Sequence, residues 1–391
     1  MSSTRTEAPP AVEPAGLPRR LRGALLRILP LLGGLHAYLG WRLLPALDLG
    51  ALGLSLAIAG LVLSAGLIPL GLLGRFLIPH PGWADRLSGL GGLLMGAFST
   101  LLVFTVLRDG LLWIANDPAL GAPTALGVLG LAAFVTAVGY VNARRVARVR
   151  RVDLPLADLP DALAGFTLVQ LSDLHVGPTI KGDYVQAIVD RVNGLDADLV
   201  VLTGDLVDGR VDHLRAHTAP LGRLRSRHGP YMVTGNHEYY SGAAAWMREF
   251  ERIGLRGLHN RHVLIPHRGA RFVLAGVTDY SAGVFDPAQA SDPVAALAGS
   301  PPGLLRILLA HQPRSAAAAE AAGFHLQLSG HTHGGQFWPW NHFVPLQQPF
   351  TAGLHRFGRM LVYTSRGTGY WGPPKRFGAP SEITLLRLVK A

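Results

Sequence analysis

Carboxylates, imidazoles and one carboxamide recur in short clusters over the second half of this chain. They are Asp173-Leu-His175, Gly204-Asp205-Leu-Val-Asp208, Gly235-Asn236-His237-Glu238, the isolated His311, and Gly330-His331-Thr-His333. The chain has no cysteine, so the donors are oxygen and nitrogen alone. Such a set suits two divalent ions, Mn²⁺ first with Fe or Zn²⁺ as alternatives, at a site that hydrolyses phosphate esters. A two-metal centre keeps its ions about 3.5–4 Å apart and needs a bridging carboxylate. Asp205 is the candidate bridge. Asp173 and His175, two apart, can reach one ion together, and Asn236 offers a neutral oxygen to the other. His331 and His333 can each serve one ion, and His311 completes the set. Water shared between such ions is acidified and placed for in-line attack on phosphorus. His237 is then free to protonate the leaving oxygen, with Asp208 orienting its ring.

Each cluster follows an apolar, β-branched run: TLVQLS, DLVVLT, PYMVT, LRILLA or HLQLS. These runs predict buried strands, so the polar residues emerge at strand ends where loops can gather them. Helices are predicted over 182–193, 212–227, 242–253 and 314–322, and EITLLRLVK reads as a closing strand. Taken singly, any of these histidines has a structural reading, and His213, His217, His259, His262 and His342 keep it.

The ordered pattern D-x-H, G-D-x-x-D, G-N-H-E, H, G-H-x-H resembles the calcineurin-like metallophosphoesterases. The resemblance covers roughly residues 161–391, and every ligand position has a counterpart. It implies a four-layer α/β/β/α fold. It implies Asp173, His175, Asp205 and His333 as ligands of one metal. Asp205, Asn236, His311 and His331 then hold the second, with His237 as general acid. Glu238 stands where many members have Asp. LVQLSDLHVGP, SGHTHGGQ and GTGYWGPP are similar to the bacterial membrane-associated phosphodiesterases. That branch points by analogy to UDP-2,3-diacylglucosamine cleavage in lipid A synthesis.

The first part of the chain reads differently. Residues 49–74 carry no charge, a stretch longer than the roughly 20 residues that cross a bilayer. Two more uncharged stretches follow, and an earlier one is interrupted only by Arg42. The expected organisation is a disordered arm at 1–20 and an all-α transmembrane domain at 21–143. Its four helices fall at 25–47, 50–74, 87–107 and 122–143. A basic juxtamembrane linker at 144–160 then leads to the catalytic domain at 161–391. Arginines cluster in the N-terminal arm, at Arg75 and Arg86, and over Arg144–Arg151. The positive-inside bias predicts a multi-pass protein of the inner or plasma membrane with its catalytic domain in the cytoplasm.

The net charge of +11 is thereby mostly topological, and no nucleic-acid partner is expected. The bilayer and a phosphate-containing, lipid-linked substrate are the expected partners; no protein partner is implied. Candidate substrate contacts are Gly334, Gly335 and Gln336, whose backbone could approach a phosphate. Trp338 and Trp340 lie in the aromatic stretch FWPWNHFVPLQQPF, suited to lipid or to the domain's own core. Arg366, Tyr370, Trp371, Lys375 and Arg376 could clamp a second phosphate or a nucleotide, or be surface residues. Two competing functions are a general phosphodiesterase on nucleotides or nucleic acid, and a membrane sensor or scaffold that only binds phospholigands. The first needs a basic groove, where this chain has aromatic residues; the second suits a degenerate ligand set.

Overall fold

Apolar residues alternate along the short strands, and the two faces of each strand enter different cores. Leu199 and Val201 pack on one side of their strand, Val200 and Leu202 on the other. The computed structural model describes residues 19–78 and 80–391, so the arm expected at 1–20 lies almost wholly outside the described residues. Its strands are β1 (Arg148–Leu156), β2 (Thr167–Leu171), β3 (Leu199–Thr203), β4 (Pro230–Val233), β5 (Arg256–Gly257) and β6 (Arg261–His267). β7 (Ala270–Gly276), β8 (Arg306–Leu309), β9 (Leu326–Ser329), β10 (Gly353–Phe357), β11 (Met360–Thr364) and β12 (Glu382–Lys390) follow.

They form two mixed sheets, ordered β1-β12-β2-β3-β4-β5 and β10-β11-β9-β8-β7-β6. The central strands β2 to β5 run parallel, as do β7-β8-β9-β11. The sheets stack through one core containing Phe166, Leu168, Phe272, Ile307 and Leu328. The other face of the first sheet is covered by Val185, Ile188, Trp246 and Phe250. The helices before β1 are α1 (Arg19–Leu43), α2 (Ala51–Leu77), α3 (Pro81–Ala115) and α4 (Gly121–Arg144). Those covering the first sheet are α5 (Gly182–Asn193), α6 (Val211–Thr218), α7 (Asn236–Ser241) and α8 (Ala243–Arg252). Helix Ala316–Ala321 covers the second sheet through Ala316 and Ala319. The catalytic half is therefore the four-layer α/β/β/α arrangement.

Residues 144–160 differ from the expected linker. Arg148–Leu156 is a strand, β1, paired in parallel along its length with β12. Its arginines stay toward solvent while Val149 and Val152 pack on the two cores. Asp153 and Glu382 supply counter-charges at 2.7 Å from Arg387 and 3.5 Å from Arg150. β12, expected to close the domain, lies inside the sheet between β1 and β2.

Among the described residues three helices, Ala51–Gly74, Pro81–Ala115 and Pro118–Arg144, are long and apolar enough to cross a membrane. Helix α1 packs beside them and is more polar: Arg42 pairs with Asp109 of α3 at 2.8 Å, and His36 contacts Ser64 of α2 at 3.0 Å. Helix α3 has 35 residues, about 52 Å at 1.5 Å per residue, well beyond one bilayer crossing. Much of its length, from Asp85 to Phe104, runs along the part of the chain after α4. Asp85 pairs with Lys181 at 2.7 Å, Ser99 accepts from the Trp340 indole at 3.0 Å, and Phe104 stacks on Trp338 at 5.8 Å. Lys375 enters between α3 and α4, donating to the carbonyl of Gly96 at 3.0 Å and to Thr136 at 3.2 Å. Gly139 makes the room, since a Cβ there would lie 2.6 Å from the Lys375 stem.

Candidate metal centre

The clusters converge at the C-terminal ends of the parallel strands. Asp173 and His175 follow β2, Asp205 and Asp208 follow β3, and Asn236 opens α7 after β4. His311 follows β8, and His331 and His333 follow β9. The turns are sharp. Asp173 (φ 54°), His175 (51°), Asp205 (53°), His331 (69°) and His333 (52°) all adopt the left-handed conformation. Each such non-glycine residue costs about 1–3 kcal/mol and persists where the surroundings dictate it, most often at functional sites. Gly235 and Gly330 allow the close approach, since a Cβ on either would collide with Asp205 or Asp173.

Two groups of ligand atoms share Asp205. In the first, Nε2 of His175 and of His333 lie 3.0 Å apart, with Asp173 Oδ1 3.5 Å from His333. Asp205 Oδ2 is 3.9 Å from His175. In the second, Asp205 Oδ2 is 3.1 Å from His311 Nε2, itself 3.2 Å from His331 Nδ1. The carbonyl oxygen of Asn236 is buried without a hydrogen-bond partner, which costs stability unless a cation is to take it. The residues present thus fit a pair of divalent ions: carboxylate oxygens and imidazole nitrogens cluster within 4.8 Å of one another, and the Asn236 oxygen stays buried without a partner.

Neighbouring groups orient these ligands. His311 Nδ1 donates to the Thr203 carbonyl at 2.8 Å, and the backbone N–H of His237 donates to Asp205 Oδ1 at 2.8 Å. Arg376 holds His333 from behind, donating to its carbonyl at 2.8 Å with Nη2 2.9 Å from its Nδ1. Glu238 is fully buried and accepts the backbone N–H groups of Gly235, Asp205 and Leu206 at 2.7, 3.0 and 2.7 Å. It ties the start of α7 to the loop that carries the bridge. Burial and the Asp205 charge push its carboxyl up to about 7. Sequence reasoning assigned Glu238 no task; its capping-box position three residues after Gly235 was the available signal.

Charges sort the imidazoles. Burial and the nearby His311 push His331 down to about 3; burial and Arg376 push His333 well below its ordinary value. Both are therefore held neutral, while against the effect of burial the Asp205 and Asp173 carboxylates raise His311 well above its ordinary value. For His237, burial works downward, but the Asp205 charge and the hydrogen bond to Asp208 prevail and raise it to about 9. Its Nδ1 donates to Asp208 Oδ1 at 2.6 Å, and the same oxygen accepts from His175 Nδ1 at 3.1 Å. Asp208 thus connects a ligand position to the half-buried, protonated imidazole. The Trp371 ring stands 5.5 Å from that of His237.

The expected substrate contacts are distributed otherwise. The Gly334 and Gly335 amides are used inside their own turn, by the hydroxyl and carbonyl of Thr332. Gln336 braces the carbonyls of Trp371 and Pro373 at 2.9 and 3.0 Å. Trp338 and Trp340 lie on α3, while Phe343 and Leu346 beyond them stay exposed. Arg366 pairs with Glu382 at 3.2 Å. Tyr370 is buried with its hydroxyl 3.2 Å from Arg144, and Arg376 is fully buried. Of the expected clamp, Tyr370 and Trp371 line the cavity that holds His175 and Asp208. His217 accepts the Gly182 N–H at 3.3 Å, a structural role. A cavity of about 730 Å³ beside Pro155, Arg306 and Arg356 lies at the opposite ends of the parallel strands, away from these ligands.

Comparison with known proteins agrees with this geometry. The family profile described as calcineurin-like phosphoesterase matches residues 166–335. A Danio rerio protein described as a transmembrane protein with metallophosphoesterase domain is 41% identical over 273 residues, covering 67% of this chain and 62% of its own length. A Bos taurus protein of the same description is 38% identical over 322 residues, covering 76% of this chain and 72% of its own. An uncharacterized metallophosphoesterase of Campylobacter jejuni is 33% identical, covering 67% and 69%. The chain thus spans only 62% of the length of the Danio rerio relative.

Proposed function

This chain belongs to the calcineurin-like metallophosphoesterases, and from that premise we propose that it is a membrane-anchored hydrolase of phosphodiester or pyrophosphate bonds in an amphiphilic substrate. One observation supports the reading: Asp205 Oδ2 lies 3.9 Å from His175 and 3.1 Å from His311, between two clusters of ligand atoms, beside helices able to cross a bilayer. Asp173, His175, Asp205 and His333 would hold one divalent ion, and Asp205, Asn236, His311 and His331 the other, with Mn²⁺ the first candidate. When bound, such ions supply Lewis acidity and lower the pKa of water. His237 delivers a proton to the leaving oxygen from Nε2 while Asp208 keeps Nδ1 engaged. The arginines flanking the spans favour a cytoplasmic catalytic domain.

The test is hydrolysis by the purified full chain in lipid nanodiscs with Mn²⁺. The panel contains UDP-2,3-diacylglucosamine, phospholipids and nucleotide diesters. Metal-dependent cleavage of an amphiphilic member is expected. Turnover confined to nucleotide diesters would point to the general phosphodiesterase instead.

A further inference from the structure

The ligand cluster is walled on one side by the membrane helices themselves. A cavity of about 220 Å³ has His175 and Asp208 at its inner end and Gly71 and Leu72 of α2, Met95 of α3 and Trp371 around the rest. Its outer wall is thin. Leu72 lines it and is also 58% exposed on the outer face of α2, the face that a bilayer would cover. Close backbone packing bounds it: a Cβ on Gly71 would lie 2.7 Å from the Gly91 Cα, and one on Gly92 would lie 2.9 Å from the Gly372 carbonyl. Trp371 is fixed, its backbone N–H and carbonyl both engaged by Gln336.

We propose that this cavity is a subsite for the apolar tail of the substrate, entered from the bilayer between α2 and the Trp371 loop, with the tail's first methylenes lying between Leu72, Met95 and Trp371. The inference rests on the phosphoesterase reading and deepens it. The polar group need not leave the interface, because the ligand side chains stand at the inner end of the same cavity. A tail of alkyl chemistry suits the part of the wall made by Leu72, Met95, Pro178 and Trp371, beside Ser88, Thr179 and Tyr370. The aromatic stretch around Trp340, suited on its sequence to lipid or to the domain's own core, meets α3 through Trp338 and Trp340.

The test uses the full chain in nanodiscs with Mn²⁺ and p-nitrophenyl alkyl phosphodiesters from methyl to octyl. Burying each methylene raises kcat/KM about fourfold until the cavity is full. Met95→Trp fills the space and lowers the octyl-to-methyl ratio at least tenfold. A flat chain-length series in the natural protein, or an unchanged ratio in the variant, overturns the subsite. Should the variant fail to fold, labelling of the natural protein decides. A non-hydrolysable octyl phosphonate with a terminal diazirine is expected to mark peptides containing residues 71–72 or 88–95, and marking confined elsewhere overturns the proposal. Absence of methyl diester hydrolysis strikes the phosphoesterase reading alone, since the phosphonate labelling still reports on the cavity.

Discussion

Replacing Asp208 with Asn should damage metal binding and proton transfer at once, because one carboxylate oxygen serves both. Oδ1 accepts from His175 at 3.1 Å and from His237 at 2.6 Å. Both rings are largely shielded, so the bonds are not heavily screened. Asn keeps the shape and an acceptor oxygen but removes the charge. A charge-assisted hydrogen bond contributes about 1.5–3 kcal/mol and a neutral one about 0.5–1.5. The loss is then about 1–1.5 kcal/mol per ring, close to a tenfold effect on each process. Asp208→Ala also leaves both Nδ1–H groups without this acceptor and should reach about a hundredfold, the upper range for residues that support metal ligands. Competition with a fluorescent chelator reads Mn²⁺ affinity. Turnover of an alkyl diester against a nitrophenyl diester reads proton delivery, since only the alkoxide needs the proton badly. Asn and Ala variants with unchanged metal affinity and the same turnover on both esters would refute the assigned coupling.

Asp205→Asn is expected to lower occupancy at both ion positions, as elemental analysis of the purified variant would show; two ions retained per chain would remove the bridge. Gly139→Leu should expel Lys375 from between α3 and α4, since even a Cβ lies 2.6 Å from its stem; greater protease sensitivity of the catalytic half in nanodiscs is the readout, and unchanged resistance would count against the docking. A reporter fused after Ala391 should behave as cytoplasmic, and an external reporter would reverse the assigned orientation.

The reaction class and the site were legible in the sequence because each cluster is local. A β-branched run, then a carboxylate or imidazole at the strand end, places the side chain at one edge of a parallel sheet with few alternatives. The apolar helices were legible for the same reason, their uncharged length being a property of continuous sequence. Long-range packing was not. Lys375 reaches Gly96 across 279 positions and Trp340 reaches Ser99 across 241, and no periodicity marks such pairs. Basic and aromatic residues near the C-terminus resembled a substrate clamp. Only the tertiary structure turned them into the joint between sheet and bundle, with Arg376 behind His333 and Trp338 on Phe104. Residues 144–160 had the composition of a linker, yet Arg148–Leu156 became a strand because β12 offered a free edge along its whole length. Tertiary structure likewise brought α2 and α3 to the metal ligands, because helix faces choose neighbours by shape and by small residues such as Gly71 and Gly92.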